Sequence, residues 1–411
     1  MSRVFESLPP PVIDLERATT RLYTSLLAAF TALAPVMNAI YIDTFSSPWL
    51  LIVLSGLLLM HLLTCPRLLF GRECVLYAAF VLYLIVSLLW APDPLLGRNS
   101  LMPAINFLLI MVLAGSLVAF HSLRSVLQGL LGGFLLGAAW YTYTKGFPLT
   151  YPADFSYNAI AAMYLFGLFA TLAYGWVNRA RLLTLSLAMI MMVHVAATTS
   201  IKTNLGIALG AGVAGMVYFN QALRGMRRNA FAIVLAVSVI AYGVASSGKV
   251  VERVQAGIDR VSIGVQVLNA RDDVAGYGSY AKRQRWEREG LEGWATNPVF
   301  GHGAESFRAE NGITSHSTPI DLLYNFGLVG LALFYAVFAS LLWRLTGKAD
   351  ARSQSLRALI LAGVVCQVFM SLSGTLYYQS FLALFVGTST ALLRRVSMQR
   401  NDRALPSEVA A

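Results

Sequence analysis

Charge is what this sequence has least of. Only 12% of its 411 residues are Asp, Glu, Lys or Arg, whereas 57% are hydrophobic, and the mean hydropathy is +0.64. A soluble domain carries about twice that share of charge, so a soluble globular chain is excluded and a multispanning membrane protein is expected. Cysteine is scarcer still. Cys65, Cys74 and Cys366 are the full complement, each in or beside an apolar segment and with no Cys-x-x-Cys spacing. Neither a disulfide framework nor a thiolate metal site is indicated, and ordinary packing among helices is the expected use. No P-loop, Gly-x-Ser-x-Gly elbow or His-Glu-x-x-His pair occurs. No repeat of domain-building length recurs, and the two halves lack the similarity that many transporters show.

Acidic residues are outnumbered, 20 to 31, giving a net charge of +11 and a pI near 9.7. Nucleic-acid binding would require the basic residues to cluster on one folded face. Here they are spread between apolar runs, which fall near 22–41, 48–65, 73–91, 101–120, 124–143, 157–177, 182–199, 202–219, 229–246, 319–343, 356–374 and 378–394. At about 20 residues per crossing the expected fold is an all-α polytopic bundle of about 12 transmembrane helices. Alternate short loops hold 19 of the 31 basic residues, the opposite loops hold only Arg98, Lys145 and Lys202, and nine lie in the long segment 247–318. The positive-inside rule then places both termini in the cytoplasm and segment 247–318 outside. The charge excess thus reads as a topology signal, with membrane lipids rather than nucleic acid as the partner. The Pro-rich, acid-containing stretch Ser7–Asp14 differs from a basic signal-peptide start, so the first apolar run is expected to remain as a helix.

This reading divides the chain into an N-terminal segment 1–21, helices one to nine over 22–246, the outer loop 247–318, helices ten to twelve over 319–394 and a tail 395–411. The outer loop is the long exception in a chain of short connections, and such loops tend to be functional. Within it Tyr280–Trp294 has helical composition ended by Asn297-Pro298. Trp286 and Trp294 suit a membrane interface. His316 stands just before the re-entry helix, well placed for general-base work. His302 lies in a Gly-x-Gly turn, His61 and His121 lie at helix ends, and His194 lies within a span, where a functional role and a bonded neutral imidazole are both open. Lys202 sits in Thr-Thr-Ser-Ile-Lys-Thr-Asn at a helix start, either snorkelling or holding an anion. Lys282, Arg283, Arg285 and Arg288 form a basic turn, Arg98 follows Asp93, and Asp272-Asp273 lacks a third ligand for a cation.

Four segments together resemble the bacterial O-antigen ligase and polymerase superfamily of integral membrane glycosyltransferases. They are LLWAPDP at 88–94, Tyr157–Ala161, NPVFGHGAESF at 297–307 and HSTPIDLLYNFGLVG at 316–330. The resemblance implies a GT-C-like inner-membrane enzyme that works at the periplasmic face without cofactor, metal or nucleotide. It would move a glycan from undecaprenyl diphosphate to a sugar hydroxyl. The acceptor would be the lipid A-core oligosaccharide for a ligase, the slightly preferred reading, or a second lipid-linked glycan for a polymerase. A transporter of polyprenyl-linked glycans is the more distant alternative. Carried onto this chain, the catalytic histidine is His316 and the loop arginine is Arg283 or Arg285, with Lys282 at the usual spacing from the tryptophan. Lys202 stands where the family often has arginine. Lys202, Arg285, Lys282 and Arg98 are the expected diphosphate ligands beside Arg283.

Overall fold

The computed structural model describes residues 15–41, 48–146, 157–178, 181–197, 201–217, 278–346, 351–372 and 374–404. Among these every regular element is an α-helix. Six helices are long and apolar enough to cross a membrane: Pro94–Phe120, Leu123–Thr144, Ile160–Asn178, Thr318–Leu345, Ser353–Ser371 and Ser380–Met398. Pro48–Thr64 and Leu182–Val195 are shorter apolar helices. The expected span 229–246 and the loop portion 247–277 lie outside the described residues.

In chain order the helices are α1 (Leu15–Tyr41), α2 (Pro48–Thr64), α3 (Arg72–Ser87), α4 (Pro94–Arg98), α5 (Leu101–Phe120), α6 (Leu123–Lys145) and α7 (Tyr157–Asn178). They continue as α8 (Arg181–Ala197), α9 (Ile201–Val217), α10 (Gly278–Thr296), α11 (Ser306–Asn311), α12 (Thr318–Leu345), α13 (Ala351–Ser371) and α14 (Ser380–Ala404). Lipid-like surroundings supply little hydrophobic drive between helices, so small residues that let backbones approach decide the pairs. Gly129, Gly133 and Gly137 form such a stripe on α6, against Ser25, Ala29 and Val36 of α1. Gly206 and Gly210 do the same on α9, against Cys366 and Ala362 of α13. Lys202 stands one turn earlier on that face of α9, so the packing that seats the glycines also aims Lys202 at the far end of α13.

Helix α5 is nearly sheathed by its neighbours and forms the axis of the core. Tyr77 of α3 stacks on its Phe107 with ring centroids 4.1 Å apart, and Phe80 meets Phe326 of α12 edge-on at 5.6 Å. The Tyr77 hydroxyl donates to the Tyr377 carbonyl at 2.7 Å, closing the layer between α3 and the turn before α14. One turn before Tyr77 on α3, buried Glu73 accepts from Arg344 of α12 at 3.0 Å and from the Ser340 hydroxyl at 2.8 Å.

Candidate functional site

The site is built on a break in α12. Gly327 has φ +63° and ψ −162°, a backbone conformation that favours glycine, and it interrupts the helical ladder just inside the re-entry helix. Freed backbone groups at such depth must be paired, and the 297–303 element pairs them. His302 and Gly303 N–H donate to the Tyr324 and Asn325 carbonyls at 2.9 and 2.8 Å. Leu328 and Val329 N–H donate in return to Pro298 and Val299 at 2.9 and 3.2 Å. The Asn325 side chain accepts from the Phe307 N–H at 2.9 Å. Gly303 lies against Ala91, so the segments 88–94, 297–307 and 316–330 come together as one block. Tyr157–Ala161 begins α7, and the side chains of residues 157–159 lie outside the described residues.

His316 occupies the turn that enters α12. Its φ is +59°, a strained value for a non-glycine residue, and the bonds around it hold it there. The Ser315 N–H donates to Asp321 Oδ1 at 2.8 Å, and the Thr375 hydroxyl donates to Asp321 Oδ2 at 3.1 Å. The Ser317 N–H donates to Ser315 Oγ at 3.1 Å. The Thr318 hydroxyl donates to the Gly374 carbonyl and accepts from the Leu376 N–H at 2.9 Å. The His316 ring lies beside Trp286 of α10, centroids 5.5 Å apart.

Two cations converge on this imidazole. Arg283 stands three residues before Trp286 on the same face of α10. A methyl group on Gly374 would fall 2.5 Å from Lys202 Nζ, so the ammonium reaches the same turn that Thr318 braces. Burial first, then the charges of Arg283 and Lys202, push the His316 pKa below its usual value. Arg283 also acts electrostatically on Lys202. The arrangement is a neutral imidazole, able to accept a proton, flanked by two cations able to hold an anion.

The other expected site residues stand differently. Arg285 turns to the exposed face of α10 and pairs with Glu289 at 2.6 Å, which raises its pKa through that bond and charge. Lys282 lies on α10 with its side chain outside the described residues. Arg98 ends α4 and is exposed; its neighbour Gly97 abuts Ala304. Asp93 caps α4, accepting from the Leu95 and Leu96 N–H groups at 3.0 Å each. His302 accepts a structural place: Nε2 bonds the Gly293 carbonyl at 2.9 Å and its ring stacks on Tyr324 at 4.7 Å. His194 bonds the Ile190 carbonyl of its own helix at 2.7 Å and lies 4.5 Å from the Tyr164 ring. Asp272 and Asp273 lie outside the described residues.

Two carboxylates were not singled out from the sequence. Asp321 braces the histidine turn, and its position five residues after His316 at a helix start was the available signal. Glu305 is buried beside the Gly-x-Gly turn with φ +59° and accepts from Ser100. Burial raises its pKa, while Ser100 and Arg308 counter the shift. Trp286 packs beside His316. Among the described residues no group of three potential metal ligands lies here; the one such group stands at the other end of α5.

A helical, multi-pass membrane protein with a polar site beside a broken re-entry helix is the class these features define. Residues 186–335 match the family model described as O-antigen ligase. This segment, which is similar to the O-antigen ligase family, spans Lys202, Arg283, the 297–303 element, His316 and the break in α12. No curated protein matches the chain.

Proposed function

We propose that the protein transfers a glycan from undecaprenyl diphosphate to an acceptor sugar hydroxyl at the periplasmic face of the inner membrane. The observation that carries this reading is the convergence of Arg283 and Lys202 on His316. Arg283 and Lys202 hold the diphosphate and stabilise the charge that grows on it as the anomeric C–O bond breaks. His316 takes the proton of the acceptor hydroxyl, whose oxygen attacks opposite the leaving group and inverts the anomeric carbon. The diphosphate departs with the bonding electrons. Of the three basic residues at 282, 283 and 285, Arg283 suits this role because its charge reaches both partners, whereas Arg285 is held by Glu289.

A ligase with lipid A-core oligosaccharide as acceptor is preferred slightly over a polymerase with a second lipid-linked glycan. The test is purified protein with undecaprenyl-diphosphate glycan and each acceptor in turn, without added nucleotide or metal. Transfer to core oligosaccharide alone supports the ligase, and chain extension supports the polymerase. No transfer to either, with glycan crossing the membrane of reconstituted vesicles, would replace both with transport. Sidedness has its own test: a cysteine at Ser279 should react with an impermeant thiol reagent in intact spheroplasts, and labelling only after rupture would invert the topology.

A further inference from the structure

A second polar cluster lies at the Phe120 end of α5, about 30 Å from the candidate site at 1.5 Å per residue over 20 residues. His61 ends α2, Cys65 follows four residues later on the same side of the turn, and His121 caps α5. One ligand atom from each lies within 4.8 Å of the other two. His61 is buried, and Cys65 and His121 are half-buried.

The hydrogen bonds around the two imidazoles are compatible with tautomers that leave ligand lone pairs facing each other. His61 Nε2 lies 3.0 Å from the Arg67 carbonyl, which can only accept, so Nε2 carries the proton and Nδ1 a lone pair. His121 Nδ1 lies 3.4 Å from the Thr24 hydroxyl, and that hydroxyl already donates to the Thr20 carbonyl at 2.8 Å. The hydroxyl can accept from His121 Nδ1–H, the tautomer that leaves a lone pair on His121 Nε2. His61 Nδ1 and His121 Nε2 face each other at 3.1 Å. In that tautomer both nitrogens present lone pairs to the space between them, the arrangement a metal ion can join.

We propose that His61 Nδ1, His121 Nε2 and the Cys65 thiolate bind one zinc-class transition-metal ion, with a solvent oxygen as fourth ligand. With metal–nitrogen bonds of about 2.0–2.1 Å, nitrogens 3.1 Å apart subtend about 100° at the ion, close to tetrahedral. A sulfur in such a site stands about 3.6 Å from each nitrogen, and one ligand atom from each of the three residues already lies within 4.8 Å of the others. The Arg67 carbonyl and the Thr24 hydroxyl occupy the outer positions that orient metal-bound histidines. On binding, the thiol loses its proton to solvent, and the thiolate offsets the charge that Arg395 brings through its bonds to the Ala119 and His121 carbonyls. The ion would tie the ends of α2 and α5 to α1 and α14.

The test uses the full chain, tag-free in detergent micelles, stripped with a chelator and titrated with Zn²⁺ and separately with Co²⁺. One equivalent of zinc should be retained after desalting, and cobalt should show the near-ultraviolet thiolate charge-transfer band with tetrahedral visible bands. Cys65→Ser should abolish that band and weaken zinc binding at least about tenfold, while Cys366→Ser should keep both. In the wild-type protein zinc should slow maleimide labelling of Cys65, a readout independent of how the variants fold. Zinc retained equally by Cys65→Ser, cobalt without a thiolate band, or no retained metal would overturn the site, the last leaving a proton shared by the histidines.

Discussion

At the Phe120 end of α5 the arginines close on complementary partners, whereas at the Leu101 end two cations crowd one imidazole. Arg344 meets Glu73 and Arg395 meets two carbonyls, so burial of each charge is offset by a bond. By contrast, Arg283 and Lys202 act on each other and on His316, an arrangement whose mutual repulsion costs folding energy. A backbone break and a left-handed histidine stand at the same end. Strain and like charge held together by surrounding bonds are what a site kept ready for an anionic ligand requires, and the opposite end shows that this chain can satisfy its charges where no such demand exists.

The sharpest way to break that contrast is His316→Ala. Single-turnover transfer should fall about 10²–10⁴-fold with the protein still inserted and binding donor, whereas His302→Ala, whose imidazole anchors a turn, should lose far less. Equal losses would remove His316 as the base.

Arg283→Ala and Lys202→Ala should each lower turnover by about 10²–10³-fold, the scale of a lost transition-state anion contact. Lys202→Arg should retain part of the rate, since charge survives while donor geometry changes. The pH profile separates electrostatics from collapse. The lowered pKa of His316 means that transfer persists as pH falls until the imidazole protonates, below the ordinary value of about 6.5. Removing either neighbouring cation eases protonation, so the acid limb should move to higher pH in both alanine variants. An unmoved limb in both would separate the cations from the histidine.

At the other end Arg344→Leu should act on stability instead. Leaving buried Glu73 without its partner costs up to about 3–5 kcal/mol, read as a lowered thermal midpoint, while turnover per folded molecule stays near that of the parent. A large loss of turnover without loss of stability would make the two ends alike. The smallest effect belongs to Arg285→Ala. Its exposed pair with Glu289 is screened by solvent and contributes little, and turnover should be nearly unchanged; a loss matching Arg283→Ala would move the anion contact to the exposed face of α10.

The helical class, the positions of most apolar helices and the helix 278–296 were legible because apolar run length and the Asn-Pro stop act locally. His316 was legible for a similar reason, since a histidine at the mouth of an apolar helix stands out in one dimension. Choosing among Lys282, Arg283 and Arg285 was not possible from spacing, because it depends on which face of α10 packs toward α12. Asp321 and Glu305 were passed over because a carboxylate's role here comes from Ser315, Thr375 and Ser100, partners brought together only by folding. The break at Gly327 was hidden for the same reason: a glycine in an apolar run reads as ordinary packing until the 297–303 loop supplies the bonds that the broken ladder lacks.

By itself, then, the sequence determined that this chain is a bundle of apolar helices with its basic residues sorted between loops, because hydrophobicity and charge are partitioned residue by residue. It also marked His316 and Lys202 as helix-end outliers. Only the tertiary structure decided that Trp286 packs beside His316 and that the charges of Arg283 and Lys202 act on that histidine. Only it set His61 and Cys65, four residues apart, against His121, where a search for paired cysteines finds nothing. Electrostatic coupling and ligand geometry depend on separation in space, falling within a few ångströms, and helix packing alone sets those separations.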